Sequence, residues 1–318
     1  MAPARIQSVV SHRVQAWIAA LGDGNVTRRL RALKTLQRGS ARSVDRALVR
    51  ALRNQNPDVR SGVVACLGKR GRLNLRLARR AMRDPDAGVR ENTAWALGTL
   101  RGAGVVDLLA STLRVERSVD IRISALGSLR MIASRRAIPA LIFAARSRSA
   151  QVRIGALRAL QELRDPVARP VLRRASQDAV AEVRAVALDA VAHGCAGTGD
   201  DGVVEALSFG DELTVRAALR ALAQVGTPRA VGPAVLALAN PDVAEDAAEA
   251  LLSILIRCAA DLDTGTLRRL LSLRDVRQTV WKTDPRGEDR WPEGARPVSL
   301  RRLRARSAEA LARRRGLE

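Results

Sequence analysis

Residues Asp86 to Leu100 read DAGVRENTAWALGTL, and variants of this segment recur along the chain. Each copy contains a β-branched residue followed by an arginine, as in Val89-Arg90. The gaps between successive arginines of this kind are 30, 32, 31 and 31 residues, and the arginines are Arg60, Arg90, Arg122, Arg153 and Arg184. A nearly fixed period in this range is typical of repeat proteins, in which neighbouring units stack and bury one continuous core.

Each copy also carries the pattern of an amphipathic helix. When the arginine is position zero, positions +4, +7 and +10 are mostly apolar, and in the copy quoted above they hold Ala94, Leu97 and Leu100. Spacings of three and four residues place these side chains on one face of an α-helix. A shorter helical pattern precedes each copy, and residues such as Pro85 and Asp86 mark the turn between the two helices. The repeating unit is therefore predicted to be a pair of helices.

The fold class predicted from this period is all-α. We expect an α-solenoid, a right-handed superhelix of about eight helix pairs, over residues 1–265. A composition that is 47% hydrophobic but only 2% aromatic agrees, because small aliphatic side chains suit closely packed helices better than strands. After the repeats we expect a closing helix over 266–282, a linker rich in proline, glycine and charge over 283–298, and a basic C-terminal helix or tail over 299–318.

The repeat can be compared with known repeat classes. The string D-x-x-V-R-x-x-A-x-x-A-L-x-x-L, which Asp86 to Leu100 follow closely, resembles the HEAT repeats of the phycobilisome-lyase type over roughly residues 11–258. The resemblance implies HEAT-type helix pairs but no single function, because scaffolds, bilin lyases and accessory domains share the repeat. In that family the recurring aspartate and arginine pair within and between repeats. The resemblance therefore implies a structural ladder, formed by Arg60, Arg90, Arg122, Arg153 and Arg184.

Motifs for catalysis or for metal binding are weak. Gly197 to Gly202 match G-x-G-x-x-G, but the match falls between two predicted helices and lacks the preceding strand that a nucleotide site requires. His193 and Cys195 form a single H-x-C with no second pair of ligands. We therefore expect no enzymatic activity, no cofactor and no metal. A HEAT-like DNA glycosylase or a bilin-lyase-type enzyme is a minor alternative, with Trp17 and Trp95 the only residues that suggest the former.

The charge of the chain is large and unevenly distributed. The sequence has 55 basic and 32 acidic residues, a formal net charge of +23. Residues 1–83 carry +16, whereas residues 161–265 carry −7. Because a concentrated basic field attracts polyanions and acidic protein surfaces, we place the candidate binding surface in the N-terminal half.

The candidate binding residues fall into three groups. A dense local supply of arginines comprises Arg28, Arg29, Arg31, Arg38, Arg42, Arg46, Arg50 and Arg53. Position +5 of the second helices lies off the apolar face and is expected to face solvent on the concave surface of the solenoid. Its most notable members are Trp95 and Arg158. Trp95 is equally compatible with stacking on a base, with anchoring a peptide and with packing against a neighbouring repeat. The basic tail contributes Arg301, Arg302, Arg304, Arg306, Arg313, Arg314 and Arg315.

These observations predict a non-enzymatic scaffold that binds an acidic protein partner. The alternative is a nucleic-acid-binding protein that uses the basic N-terminal repeats and the tail. The basic N-terminal half and the acidic segment over residues 161–265 also predict salt-sensitive, head-to-tail self-association. No run of 18 apolar residues exists, so no membrane partner is expected. Three widely spaced cysteines, Cys66, Cys195 and Cys258, indicate a reducing, cytoplasmic environment.

Overall fold

The computed structural model describes residues 12–38, 42–195, 201–240, 242–272 and 298–315. Within these ranges the regular structure consists of helices, eighteen of them α-helices joined by short turns, and there is no β-strand. The predicted all-α class is confirmed. The chain divides into two compact units, which meet in sequence between Leu163 and Arg164.

The first unit contains five helix pairs. In each pair a first helix leads through a tight turn into a second helix, and second helices of successive pairs pack side by side. The first helices are α1 (12–19), α3 (Arg42–Ala51), α5 (Leu75–Ala81), α7 (Ala103–Val115) and α9 (Ile138–Ala144). The second helices are α2 (Val26–Arg38), α4 (Pro57–Lys69), α6 (Ala87–Ala96), α8 (Val119–Ile132) and α10 (Ala150–Leu163).

The second unit contains four pairs. Its first helices are α11 (Arg169–Ala175), α13 (Asp201–Ala206), α15 (Val231–Ala237) and α17 (Thr264–Ser272). Its second helices are α12 (Ala181–Ala190), α14 (Glu212–Val225), α16 (Ala244–Cys258) and α18 (Val298–Arg315). The regions of the predicted closing helix and of the predicted basic C-terminal helix contain α17 and α18, which pack on each other, and α18 also packs on α16. They form a ninth pair, and the predicted linker, Val298 apart, lies outside the described residues.

Polar side chains at the turns begin several second helices. Asn56 accepts a hydrogen bond from the Asp58 amide at 2.9 Å, and Asp86 accepts one from the Val89 amide at 3.0 Å. Asp211 does the same for Thr214 at 2.9 Å. Each bond satisfies an amide of the first helical turn that has no partner inside the helix. The recurring polar residue before the arginine thus fixes where the second helix starts.

Small residues allow the second helices to approach closely. A Cβ atom on Gly68 of α4 would lie 2.8 Å from the Cβ of Ala96 in α6. Ser128 of α8 is buried and donates a hydrogen bond of 2.7 Å to the Ala94 carbonyl, one repeat earlier. Leucines at positions +4 and +7, such as Leu126 and Leu129, fill the space between the two helix layers. The aliphatic core expected from the composition is present.

Candidate anion-binding groove

The position-zero arginines connect consecutive repeats. Arg60 donates from Nε to Asp84 Oδ2 at 2.8 Å and from Nη2 to Oδ1 at 2.7 Å. Arg90 donates from Nε to Glu116 at 2.9 Å. Both also donate from Nη1 to two backbone carbonyls of the turn before their own helix. The contacts therefore hold one turn in place and join it to the next repeat.

These contacts change the titration of the acids. The hydrogen bonds from Arg60 hold the pKa of Asp84 below its ordinary value. Burial pushes the pKa of Glu116 upward, but hydrogen bonds from Arg90 and from the Ser118 amide outweigh burial and the pKa is lowered. Both carboxyl groups are therefore more acidic in the folded chain than in the unfolded chain.

The other ladder positions have different partners. Arg184 is buried, donates to Asp211 at 2.5 Å and to Thr214 at 2.9 Å, and lies over the ring of Phe209 at 4.4 Å. Arg153 donates from Nη1 to the carbonyls of Ser147 and Arg148. Arg122 donates to the Ser147 hydroxyl at 3.2 Å, while its buried Nε has no hydrogen-bond partner among the described residues.

A second set of arginines lines a groove between α3 and α5. Two adjoining depressions, of about 900 Å³ and about 690 Å³, share Leu52, Arg76, Leu77 and Arg80. We call them together the arginine groove. Its lining arginines outside the ladder are Arg46, Arg50, Arg53, Arg72, Arg76, Arg79, Arg80 and Arg83.

The arginines of the groove are exposed, and most have no acidic partner. No ion pair or side-chain hydrogen bond joins Arg46, Arg50, Arg53, Arg76, Arg80 or Arg83 to any residue that the structure describes. The two acids that line the groove are already occupied. Asp45 is bound by Arg70 at 2.5 Å and by Arg72 at 3.1 Å, and Asp84 is bound by Arg60. The groove therefore has a surplus of positive charge that the described part of the chain does not neutralise.

The groove repeats the same arginine triplet. Arg46, Arg50 and Arg53 follow one another at spacings of four and three residues, and so do Arg76, Arg80 and Arg83. The corresponding members of the two triplets are each separated by 30 residues, which is also the distance from Arg60 to Arg90. Equivalent positions of two neighbouring repeats thus place two parallel rows of arginine along one groove.

Apolar side chains lie between these rows. Val49, Leu52 and Leu77 line the groove without being fully buried, and Val49 is 39% exposed. The lining contains no aromatic ring in the part of the chain that is described. The groove is consequently a cationic surface with an apolar strip.

Only some of the predicted binding residues lie in the arginine groove. Of the predicted arginines, Arg46, Arg50 and Arg53 belong to the groove. Arg28 pairs weakly with Asp23 at 3.5 Å, and Arg29 donates to the Asp23 and Gly24 carbonyls. Three others, Arg31, Arg38 and Arg42, are exposed on or at the ends of α2 and α3 but outside the groove. The groove also contains arginines that were not predicted, namely Arg72, Arg76, Arg79, Arg80 and Arg83. The recurrence of the arginine triplet after 30 residues is a sequence signal that could have identified three of them.

The column at position +5 faces solvent. Trp95 on α6 is 50% exposed. All eight members of the column are exposed or half-buried, namely Arg31, Ala65, Trp95, Gly127, Arg158, Asp189, Arg220 and Glu249. Gly127, which occupies the column on the adjacent α8, has open space where a Cβ would stand. Arg158 is exposed on α10. These residues lie on second helices, apart from the groove lining.

The predicted basic tail is helical as far as Arg315. Among its arginines, Arg302, Arg306 and Arg313 are exposed, and Arg306 and Arg313 both bind Glu309. Arg304 is half-buried, and its Nε has no hydrogen-bond partner in the described ranges. The remaining predicted residues, Arg301, Arg314 and Arg315, lie in the helix, and their side chains are outside the description.

The described residues offer little for metal binding or for thiol chemistry. They contain no cluster of three or more histidine, cysteine or acidic side chains that could bind a metal ion. Burial raises the pKa of the Cys66 thiol to about 12, so this cysteine stays protonated near neutral pH. None of the described helices is long and apolar enough to cross a membrane.

Comparison with known proteins supports the repeat assignment. Residues 106–192 match the sequence family described as HEAT repeats. None of the curated proteins compared with the chain matches it. An engineered protein of solved structure is 18% identical, with a TM-score of 0.56, and the alignment covers 98% of this chain and 92% of that one. YibA from Escherichia coli is 18% identical, with a TM-score of 0.54 and coverage of 92% and 99%. Importin beta is 14% identical, with a TM-score of 0.54, and 94% of this chain aligns with 48% of importin beta. These likenesses show the α-solenoid fold.

Proposed function

Because the chain is a HEAT-repeat protein with a groove of unneutralised arginines, we propose that it is a non-enzymatic scaffold whose arginine groove binds an acidic partner protein. The observation that supports this proposal is the contrast between two classes of arginine. The ladder residues Arg60, Arg90 and Arg184 have acidic partners within the fold, whereas the two triplets of the groove have none in the described ranges.

Repulsion among the groove arginines destabilises the folded chain when no partner is bound. Like charges on neighbouring helical turns repel one another and destabilise the compact state. A bound anionic surface would reverse the sign of this contribution and would speed association through electrostatic steering. Arginine also suits this role because its planar group binds a carboxylate with two parallel hydrogen bonds.

Nucleic acid is the competing partner. Arginines bind phosphates equally well, and affinity for nucleic acid falls steeply with salt because bound counterions are released. The apolar strip of Val49, Leu52 and Leu77 favours a protein partner, because a phosphate backbone would leave these side chains uncovered. The lining also offers no ring, among the residues described, on which a base could stack.

The test compares two charge-reversed variants. The groove variant is R50E/R80E, and the control is R31E/R158E, which changes the net charge equally at exposed positions outside the groove. Fluorescence anisotropy would measure how tightly each variant binds labelled poly-glutamate and labelled single- and double-stranded DNA, at low and at near-physiological salt. We expect the groove variant to bind poly-glutamate at least about tenfold more weakly than the control. DNA binding that stays tight at physiological salt and depends on the groove would favour the nucleic-acid alternative instead.

Self-association is a separate proposal. Exposed acids on the second unit, such as Glu212 and Glu249, offer a surface that the groove of a second copy could bind. Sedimentation velocity at low and high salt measures this directly. A monomer under both conditions would remove self-association and leave the acidic partner as the ligand.

A further inference from the structure

We propose that the partner segment that occupies the arginine groove is an acidic amphipathic helix, with an apolar stripe on Val49, Leu52 and Leu77 and carboxylates on the two arginine rows. This inference rests on the proposed function and specifies the secondary structure and the pattern of the ligand. Three features of the groove support it: the spacing of its charges, the position of its apolar residues and the lengths of its helices.

The charges repeat with the period of a helix. Within each row the first two arginines are four residues apart on the helix, about 6 Å along its axis, and the third follows in the turn just after the helix ends. Glutamates spaced three and four residues apart on an occupant helix repeat over the same distance. An extended acidic strand rises about 3.3 Å per residue, and successive side chains point to opposite sides. Only alternate carboxylates of such a strand would face one row.

The apolar residues lie where the stripe of such a helix would pack. Val49 lies within the first triplet, between Arg46 and Arg50, and Leu52 lies between Arg50 and Arg53. On α5, Leu77 lies next to Arg76. Covering these partly exposed side chains removes apolar surface from water, and this contribution does not depend on salt. Binding through charge alone would leave these apolar side chains exposed to water.

The size of the groove fits a short helix. The rows lie along α3 and α5, which have ten and seven residues, so an occupant of two to three turns spans the arginines of both rows. A helix that places an apolar face in a groove is a common mode of recognition. The charged edges of this groove would fix the orientation of the helix and select for acidic flanks.

The experiment uses synthetic peptides and the full chain. The first peptide, of about 16 residues, is helical, with leucines at every third or fourth position and glutamates on both sides of the leucine stripe. The second has the same composition in scrambled order, and the third is the first with a central proline, which breaks the helix. Each is labelled with fluorescein and titrated at near-physiological salt with wild type, V49S, V49S/L77S, R50E/R80E and R31E/R158E.

The result we expect is a preference for the amphipathic peptide of about tenfold over both controls. V49S should weaken amphipathic binding about threefold and V49S/L77S about tenfold, without changing the affinity for the scrambled peptide. R50E/R80E should weaken all three peptides, and R31E/R158E none. Val49 is already exposed, so V49S remains informative even where the double variant unfolds. Circular dichroism and thermal unfolding of each variant establish that it is folded.

Two other results overturn the inference in distinguishable ways. If all three peptides bind equally and R50E/R80E weakens all of them, the helix is wrong while the acidic-partner scaffold stands. If no peptide binds, or if binding is unchanged in R50E/R80E, the helix and the acidic partner both fail. Groove-dependent binding of labelled DNA in that second case would identify nucleic acid as the ligand.

Discussion

Arg60 and Asp84 are separated by 24 residues and meet in a two-pronged ion pair with contacts of 2.8 and 2.7 Å. Both side chains are only 12% exposed. Arg80, four residues before Asp84, is exposed and has no ion-pair partner among the described residues. The two arginines are therefore expected to respond differently to substitution.

Replacing Arg60 by alanine should destabilise the chain by about 2 to 3 kcal/mol, because it leaves the Asp84 carboxylate without its buried partner. Arg80→Ala should leave stability within about 0.5 kcal/mol of wild type, since it removes an exposed, unpaired charge. Urea unfolding of both variants measures the difference. Equal losses would show that the groove arginines also support the fold.

The pH dependence of stability should reflect the lowered pKa values of the ladder acids Asp84 and Glu116. Their pKa values are lowered in the folded chain, so the unfolded chain takes up protons first as the pH falls. The stabilisation is complete above about pH 5 and is lost as the pH falls through the folded pKa. Thermal unfolding between about pH 3 and pH 7 should therefore show Asp84→Asn well below wild type at neutral pH, with the gap closing in acid. A gap that is constant over this range would mean that the carboxylate charge contributes nothing.

Ser147 replaces the acid at one position of the ladder. Its hydroxyl accepts from Arg122, whereas Arg60 and Arg90 bind carboxylates at the equivalent position of their repeats. Ser147→Asp should raise stability by about 1 kcal/mol through a charge-assisted hydrogen bond. The control is the same substitution in an Arg122→Ala background, where the gain should disappear. A gain that persists without Arg122 would contradict this assignment.

The last helix should stabilise the second unit. Leu303 of α18 is 0% exposed and packs in the pair that α17 and α18 form. Leu303→Ala should cost about 2 to 4 kcal/mol, as for other buried leucines, whereas Arg302→Ala on the exposed face should cost little. Thermal unfolding followed by circular dichroism compares the two. A negligible loss for Leu303→Ala would show that α18 does not contribute to the core.

The helix pairs were predictable because their pattern is local. Ala94, Leu97 and Leu100 recur at helical spacing in each repeat, so the sequence alone indicates the buried face and the period. The place of α18 was harder to predict. Its buried face includes Ser307, whose hydroxyl donates to the Leu303 carbonyl within the helix. A buried serine interrupts the apolar stripe that identifies a packed helix, so the sequence predicted only a basic helix or tail in this region.

The arginine groove could be predicted only in part. The surplus of positive charge in the first 83 residues indicates a basic surface, and Arg46, Arg50 and Arg53 were among the predicted residues. Arg60 could be assigned from its place at the recurring ladder position, whereas the sequence does not show whether Arg80 has an acidic partner, because folding brings such partners near. Asp84 binds one and not the other. Which arginines are paired with an acid and which are not depends on the three-dimensional arrangement of the chain.

The most direct test of the account is to locate a bound acidic peptide on the chain. The amphipathic peptide described above, carrying a photoreactive benzophenone on its apolar stripe, would be cross-linked at near-physiological salt and the adducts mapped by mass spectrometry. We expect adducts on residues 42–53 and 72–83, and we expect them to be lost in R50E/R80E and kept in R31E/R158E. Adducts concentrated on the second helices around Trp95, unchanged in R50E/R80E, would contradict it.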